Sequence, residues 1–287
     1  MLAAAKIVVT LLKLRIGVAI AASAIAGLAV TRGPAASAGE IAALAIAVLG
    51  AAGAAGAFNH YYERDTDRSM VRTRARPFAS GILKPGAVWP ITFGALLAAS
   101  VLLAYAAAGT TSALYVFLGA VTYGLVYTVW LKRRTAWNIV VGGLSGSFAV
   151  LAGAAAIDPA PQWAPVILAV VLFLWTPPHF WSLAAAKSDE YAAAGAPMLP
   201  VVASRREWTA AILSHTVALA ALSLAPLWFG MGWIYGVGAV SGGAYFIWRS
   251  WRLYKDPGVE TAMANFAASL VQLVLLVSGV FLQALLG

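Results

Sequence analysis

Residues 41–58, IAALAIAVLGAAGAAGAF, carry no charged side chain. They run straight into Asn59-His60-Tyr61-Tyr62-Glu63-Arg64-Asp65-Thr66-Asp67-Arg68, continued by Met70-Val71-Arg72-Thr73-Arg74-Ala75-Arg76-Pro77. With its first polar residues the apolar part is long enough to cross a bilayer as helix. The polar part is the densest charge in the chain, with three carboxylates and six bases between Glu63 and Lys84. Ionisable groups set against hydrocarbon are costly and mark a functional site by default. Fold class and function are therefore both read outward from this junction.

The chain has 287 residues, 62% hydrophobic and 10% charged. Nine apolar runs are expected to span the membrane, near residues 14–30, 41–61, 88–108, 113–131, 137–157, 163–186, 209–229, 233–251 and 262–286. Thr110-Thr111 and Asp158-Pro159-Ala160-Pro161 supply turns between them. This predicts an all-α polytopic membrane protein, a single transmembrane domain over residues 1–287, with the first helix retained rather than cleaved. The short alternating segments of a β-barrel are absent.

Nine spans place 18 of the 19 Lys and Arg on one side and only Arg32 opposite. By the positive-inside rule the N-terminus is cytoplasmic, in the cell (inner or plasma) membrane. Topology thus explains the net charge of +9 without nucleic acid as a partner. With no cysteine there is no disulfide, thiolate metal site or catalytic thiol.

Asn59, Glu63 and Asp67 recur at i, i+4 and i+8 and share one helical face, whereas Asp65 points elsewhere. Gly50, Gly53 and Gly56 on the preceding helix admit a close neighbour. A solvated loop of ion pairs would be the plain account of such a charge run. A row that begins inside the apolar segment favours a Mg²⁺–diphosphate site, because hard oxygens suit Mg²⁺ bridging to substrate phosphate. Arg72, Arg74, Arg76 and Lys84 would neutralise the phosphate oxygens.

A second constellation is Trp175-Thr176-Pro177-Pro178-His179-Phe180-Trp181, then Lys187-Ser188-Asp189-Glu190-Tyr191. The diproline is expected to kink or restart the helix near His179, and Glu190 lies near the same face if the helix continues. Between the two stands Lys132-Arg133-Arg134-Thr135-Ala136-Trp137-Asn138, with Gly142 and Gly146 as a packing pair. His60 falls near the first site, and His215 reads as structural.

Together these motifs, with Pro197-Met198-Leu199-Pro200-Val201, resemble the protoheme IX farnesyltransferase (heme O synthase) branch of the UbiA-type intramembrane prenyltransferases, over roughly residues 13–286. The resemblance implies nine helices around a central cavity, with two acidic motifs facing each other on the cytoplasmic side. It implies Mg²⁺ as cofactor, with heme b and farnesyl diphosphate as substrates and heme o and diphosphate as products. Asn59, Glu63, Asp67, Asp189 and Glu190 would be catalytic, and Asn59, Glu63, Asp67 and Glu190 would hold the metal. Arg72, Arg76, Lys84, Lys132, Arg133, Arg134, Asn138, His179, Lys187 and Tyr191 would bind substrate. His179 would contact heme, and Tyr61 and Tyr62 would stabilise an allylic cation. Glu63 and Glu190 stand where aspartate is commoner in the family. A quinone precursor or another aromatic compound is the alternative acceptor, and a heme A synthase would be a partner. A transporter would need an internal repeat and charge at the midplane, and shows neither.

Overall fold

The computed structural model describes residues 2–287, and among them the regular structure is entirely helical. Leu2–Leu11 (α1) and Leu14–Ala29 (α2) meet at a 50° bend. Ala38–Tyr62 (α3) starts on a capping box in which Ser37 and Glu40 satisfy each other's backbone N–H groups. Arg64–Ser69 (α4) follows directly, after Glu63 alone breaks the helical dihedrals.

Val88–Val121 (α5) passes into a π-helical run, Thr122–Leu131, and the two form one 44-residue stretch. That is about 66 Å of helix, twice a hydrocarbon core. Gly109 turns it, at φ 76 and ψ −178, a conformation open to glycine and closed to L side chains. The break sits there, and Thr110-Thr111, expected as the turn, is helical.

Next come Asn138–Gly142 (α6) and Leu144–Ala155 (α7), then Trp163–Ala186 (α8). The α8 helix is unbroken through Pro177 and Pro178, so the restart expected near His179 does not occur. The break falls instead at Lys187, before Ser188–Ala193 (α9). Glu190 therefore lies on a separate short helix, and counting helical turns from His179 does not locate it. Leu199–Val202 (α10), Arg205–Leu222 (α11), Trp233–Lys255 (α12) and Val259–Leu286 (α13) complete the chain.

Six helical stretches are long and apolar enough to cross a membrane, seven with the bent pair at the N-terminus. Nine crossings are compatible with this set, since Gly109 divides the 44-residue stretch and α12 adds a 23-residue helix. Exposed Trp163, Trp228 and Trp233 sit at the end of the bundle away from the basic segments, as an interfacial aromatic belt does.

Two groups of helices form the bundle. In one, α2 packs on α3 and α7, and α5 on α3 and α7; in the other, α8 packs on α11 and α13, and α12 on α11 and α13. The groups join where α7 meets α8 and α13 meets α2. Packing between apolar helices in lipid rests on close backbone approach, which small residues allow. A Cβ on Gly153 would fall 1.7 Å from the Ala24 carbonyl oxygen of α2, and one on Gly27 would fall 2.1 Å from that of Val150. Gly153→Ala is accordingly expected to cost about 1–3 kcal/mol or more, seen as a lower unfolding temperature in detergent. Gly142 packs on Tyr127, but Gly146 faces open space, so the expected pair is half right.

Candidate active site

The acidic row forms as its spacing predicts. Glu63 N–H donates to the Asn59 carbonyl at 3.0 Å and Asp67 N–H to that of Glu63 at 2.8 Å, so helical bonding carries across the break. Asn59, Glu63 and Asp67 are all buried, whereas the Asp65 side chain is 69% exposed and pairs with Arg64 and Arg68.

Around the row the chain assembles a network of cations and amides. Lys132 Nζ donates to Glu63 Oε2 at 2.5 Å, and Asn59 Nδ2 donates to the same oxygen at 2.7 Å. Among the described residues Glu63 Oε1 takes no hydrogen bond. Burial pushes the Glu63 carboxyl up, but Lys132, Asn59 and Lys13 outweigh it and hold the group below its ordinary value. Burial also lowers Lys132, with Glu63 opposing. Arg76 Nη1 reaches both Asp67 oxygens, at 3.0 and 2.9 Å.

Three elements deliver these groups. The π-helical run hydrogen-bonds one residue wider than an α-helix, a geometry frequent at functional sites. It stacks Tyr123 on Tyr127 at 5.6 Å, brings Thr128 Oγ1 within 3.2 Å of Asn59 Nδ2, and ends at Lys132. Asn138 Nδ2 donates to the Thr135 carbonyl at 2.6 Å and so braces the turn behind Lys132, while its Oδ1 stays buried without a partner. Arg133 bonds Thr66, while Arg134 and Lys84 are exposed, with no side-chain partner among the described residues.

The third element went unread in the sequence. Lys13, in the bend between α1 and α2, sends Nζ to Asn59 Oδ1 at 2.6 Å and to the Tyr123 hydroxyl at 2.8 Å. Among the described residues it is the one non-glycine residue with positive φ, 49°. Gly56 makes room for it, since a Cβ there would meet the Lys13 stem at 3.2 Å. The sequence signals were a base at the head of an apolar span and Tyr-x3-Tyr-Thr inside another. Tyr61 and Tyr62, by contrast, turn away: Tyr61 packs with Phe78 and Phe93, and Tyr62 is exposed against Phe58.

The second acidic motif approaches through Tyr191, which is buried beside Arg72. Burial raises the Tyr191 phenol, with the charges of Arg72 and Arg76 pulling the other way. Glu190 Oε1 lies 3.5 Å from Lys187 Nζ, and its Oε2 is buried with no partner. Asp189 is exposed. His60 is buried on α3, its Nδ1 without a partner. His215 Nδ1 bonds the Ala211 carbonyl on its own helix, a structural role.

His179 is buried deeper along α8. Trp175 and Phe266 stack on its faces at 4.3 and 4.5 Å, and Phe180 meets its edge. The cavity of about 240 Å³ lined by Leu28, Ala107 and Ile157 holds one charged side chain, Glu40, already committed to the α3 cap. It takes no part in this site.

The donor set fits a hard divalent cation. Glu63, Asp67 and Glu190 offer anionic oxygens, one of them buried and unsatisfied. Among the described residues no three His, Asp or Glu side chains gather closely enough to hold a metal themselves. Further ligands would come from water and substrate oxygens, the usual habit of Mg²⁺.

Residues 20–277 match the model of the UbiA prenyltransferase family. The chain belongs to the UbiA prenyltransferase family. It is 56% identical to protoheme IX farnesyltransferase 2 of Paramagnetospirillum magneticum over 98% of both chains. It is 44% identical to protoheme IX farnesyltransferase 1 of the same organism, over 95% of this chain and 96% of that one. Among solved structures, a digeranylgeranylglyceryl phosphate synthase superposes with a TM-score of 0.81 at 16% identity, over 97% of this chain and 98% of that one. A UbiA homolog from Archaeoglobus fulgidus bound to GPP and Mg²⁺ gives 0.75 at 14% identity, over 98% and 100%. As a UbiA-family member the chain is a multi-pass membrane enzyme of the prenyltransferase class.

Proposed function

We propose that this enzyme transfers the farnesyl group of farnesyl diphosphate to a vinyl group of heme b, with addition of water, giving heme o and diphosphate. The whole chain acts as one transmembrane domain in the cell membrane, with its N-terminus and the base-rich face cytoplasmic. The relatives' shared name supports the acceptor, and His179, a buried imidazole between two aromatic rings, is the observation that carries it. A polarisable flat wall with a nitrogen at its edge suits a metalloporphyrin.

Glu63, Asp67 and Glu190 would hold Mg²⁺, which when bound neutralises charge on the diphosphate. The A. fulgidus homolog, bound to GPP and Mg²⁺, supports Mg²⁺ as the metal and a prenyl diphosphate as the substrate. Asn59, whose amide oxygen already accepts from Lys13, acts as a bracket between Lys13 and Glu63. Lys13, Arg72, Arg76 and Lys132 stabilise the leaving oxygens as the farnesyl C1–O bond breaks and its electron pair departs with diphosphate. Tyr123 and Tyr127 offer aromatic faces to the allylic cation. The vinyl π electrons close the new C–C bond, water adds to the resulting carbon cation, and its proton leaves with the diphosphate.

The test is product analysis. Purified protein given heme b, farnesyl diphosphate and Mg²⁺ is expected to yield a porphyrin heavier by farnesyl plus water, resolved by mass spectrometry. Unchanged heme together with a prenylated quinone precursor would overturn the acceptor and leave the diphosphate site standing.

A further inference from the structure

Resting on the assignment of His179 to heme, we propose that Ser269 of α13 is a positioning residue that fixes the tautomer of His179 and presents its Nε2 lone pair to the iron of the heme substrate. Ser269 and His179 are both buried, and His179 Nδ1 lies 2.7 Å from Ser269 Oγ. A hydroxyl has one proton to give. That of Ser269 is directed to the Phe266 carbonyl at 2.6 Å. The serine oxygen can then only accept, so Nδ1 must carry the ring proton and Nε2 must be the bare nitrogen. Among the described residues Nε2 makes no hydrogen bond.

Ser269 also holds the wall around the ring. Its carbonyl accepts from Trp175 Nε1 at 2.9 Å, and Trp175 is the indole stacked on His179. Phe266, which takes the serine proton, covers the other face. With both faces packed, Phe180 against the edge and Nδ1 tied, Nε2 is the ring nitrogen left to meet a ligand.

The helix that supplies this brace is itself anchored to α8. Asn265 Nδ2 donates to Ser182 Oγ at 2.8 Å, Ser182 Oγ donates to the Pro178 carbonyl at 2.6 Å, and Asn265 Oδ1 accepts from Ser250 at 2.9 Å. Pro177 and Pro178 lack the N–H groups that would close the preceding turn. Interhelical bonds from α13 therefore set where this part of α8 sits. A hydrogen-bonded partner behind a metal-binding histidine orients the ring and raises its basicity, and its loss commonly costs 10–100-fold in affinity.

The measurement is ¹⁵N NMR of the imidazole nitrogens in detergent without heme, with His60 and His215 assigned by substitution, alongside heme b titration. His179 is expected as the Nδ1–H tautomer. Ser269→Ala is expected to give mixed tautomers and heme affinity lowered about 10-fold, with farnesyl diphosphate affinity kept, and Ser269→Thr to restore both. If Ser269→Ala fails to fold, Ser269→Cys takes its place, being a far weaker acceptor of similar size. A wild-type Nε2–H tautomer, or a Ser269→Ala protein unchanged in tautomer and heme affinity, would overturn the proposal. Undiminished heme affinity in His179→Ala would instead overturn the heme contact itself, while the heme-free tautomer still decides the role of Ser269.

Discussion

Asp67→Asn is expected to lower farnesyl transfer by roughly 10²–10³-fold, the cost of losing one preorganised electrostatic group at a reacting centre, with the purified protein still folded. Asparagine keeps the volume of Asp67 and can still accept from Arg76, which lies 2.9 and 3.0 Å from the two carboxylate oxygens. What it removes is one negative charge from a buried position between Arg76 and the α3 row. If Asp67 served only to pair with Arg76, the change would show chiefly as lost stability and turnover would hold. Mass spectrometry of product and a thermal unfolding curve on one preparation separate the two. Retained heme o synthesis would remove Asp67 from the mechanism.

The acidic row was legible because its information is local. A spacing of four and eight residues, the absence of charge from 41 to 58 and the outward Asp65 all follow from helix geometry, and the structure keeps them across the Glu63 break. Most span positions were legible for the same reason, since lipid demands uninterrupted apolar helix. Breaks were harder. The turn at Gly109 depends on one dihedral, and the threonines beside it carry a stronger loop signature than the glycine does. The diproline misled in the other direction: neighbouring helices can satisfy the carbonyls that proline frees, and α8 continues through Pro177 and Pro178 between α11 and α13.

Tyr123, Thr128 and Lys13 were illegible because their roles are set by partners 110, 69 and 46 residues away. Nothing near them in sequence announces the encounter. Tyr61 and Tyr62 drew attention by adjacency to Glu63, yet adjacent residues on a helix point about 100° apart, and both leave the site.

Lys13 gives the other large effect. A residue with a Cβ held in the left-handed region costs roughly 1–2 kcal/mol relative to the ordinary helical basin, and glycine would hold φ 49 without that penalty. Lysine at this bend is poor for the backbone but places an ammonium 2.6 Å from Asn59 and 2.8 Å from Tyr123. Strain of this kind persists where the surrounding structure over-determines it, often at functional sites. Lys13→Gly therefore separates the two roles. Backbone relief is expected to offset much of the lost hydrogen bonding, leaving the unfolding temperature close to wild type, while farnesyl transfer falls roughly 10²-fold. Gly56→Val should reproduce a milder form of the defect, because its side chain would press on the lysine stem, which passes 3.2 Å from the Cβ position. Thermal unfolding and product formation on both variants decide the matter. Lys13→Gly protein that unfolds early but turns over normally when folded would make Lys13 a structural strut and leave Lys132, Arg72 and Arg76 as the cations that face the diphosphate.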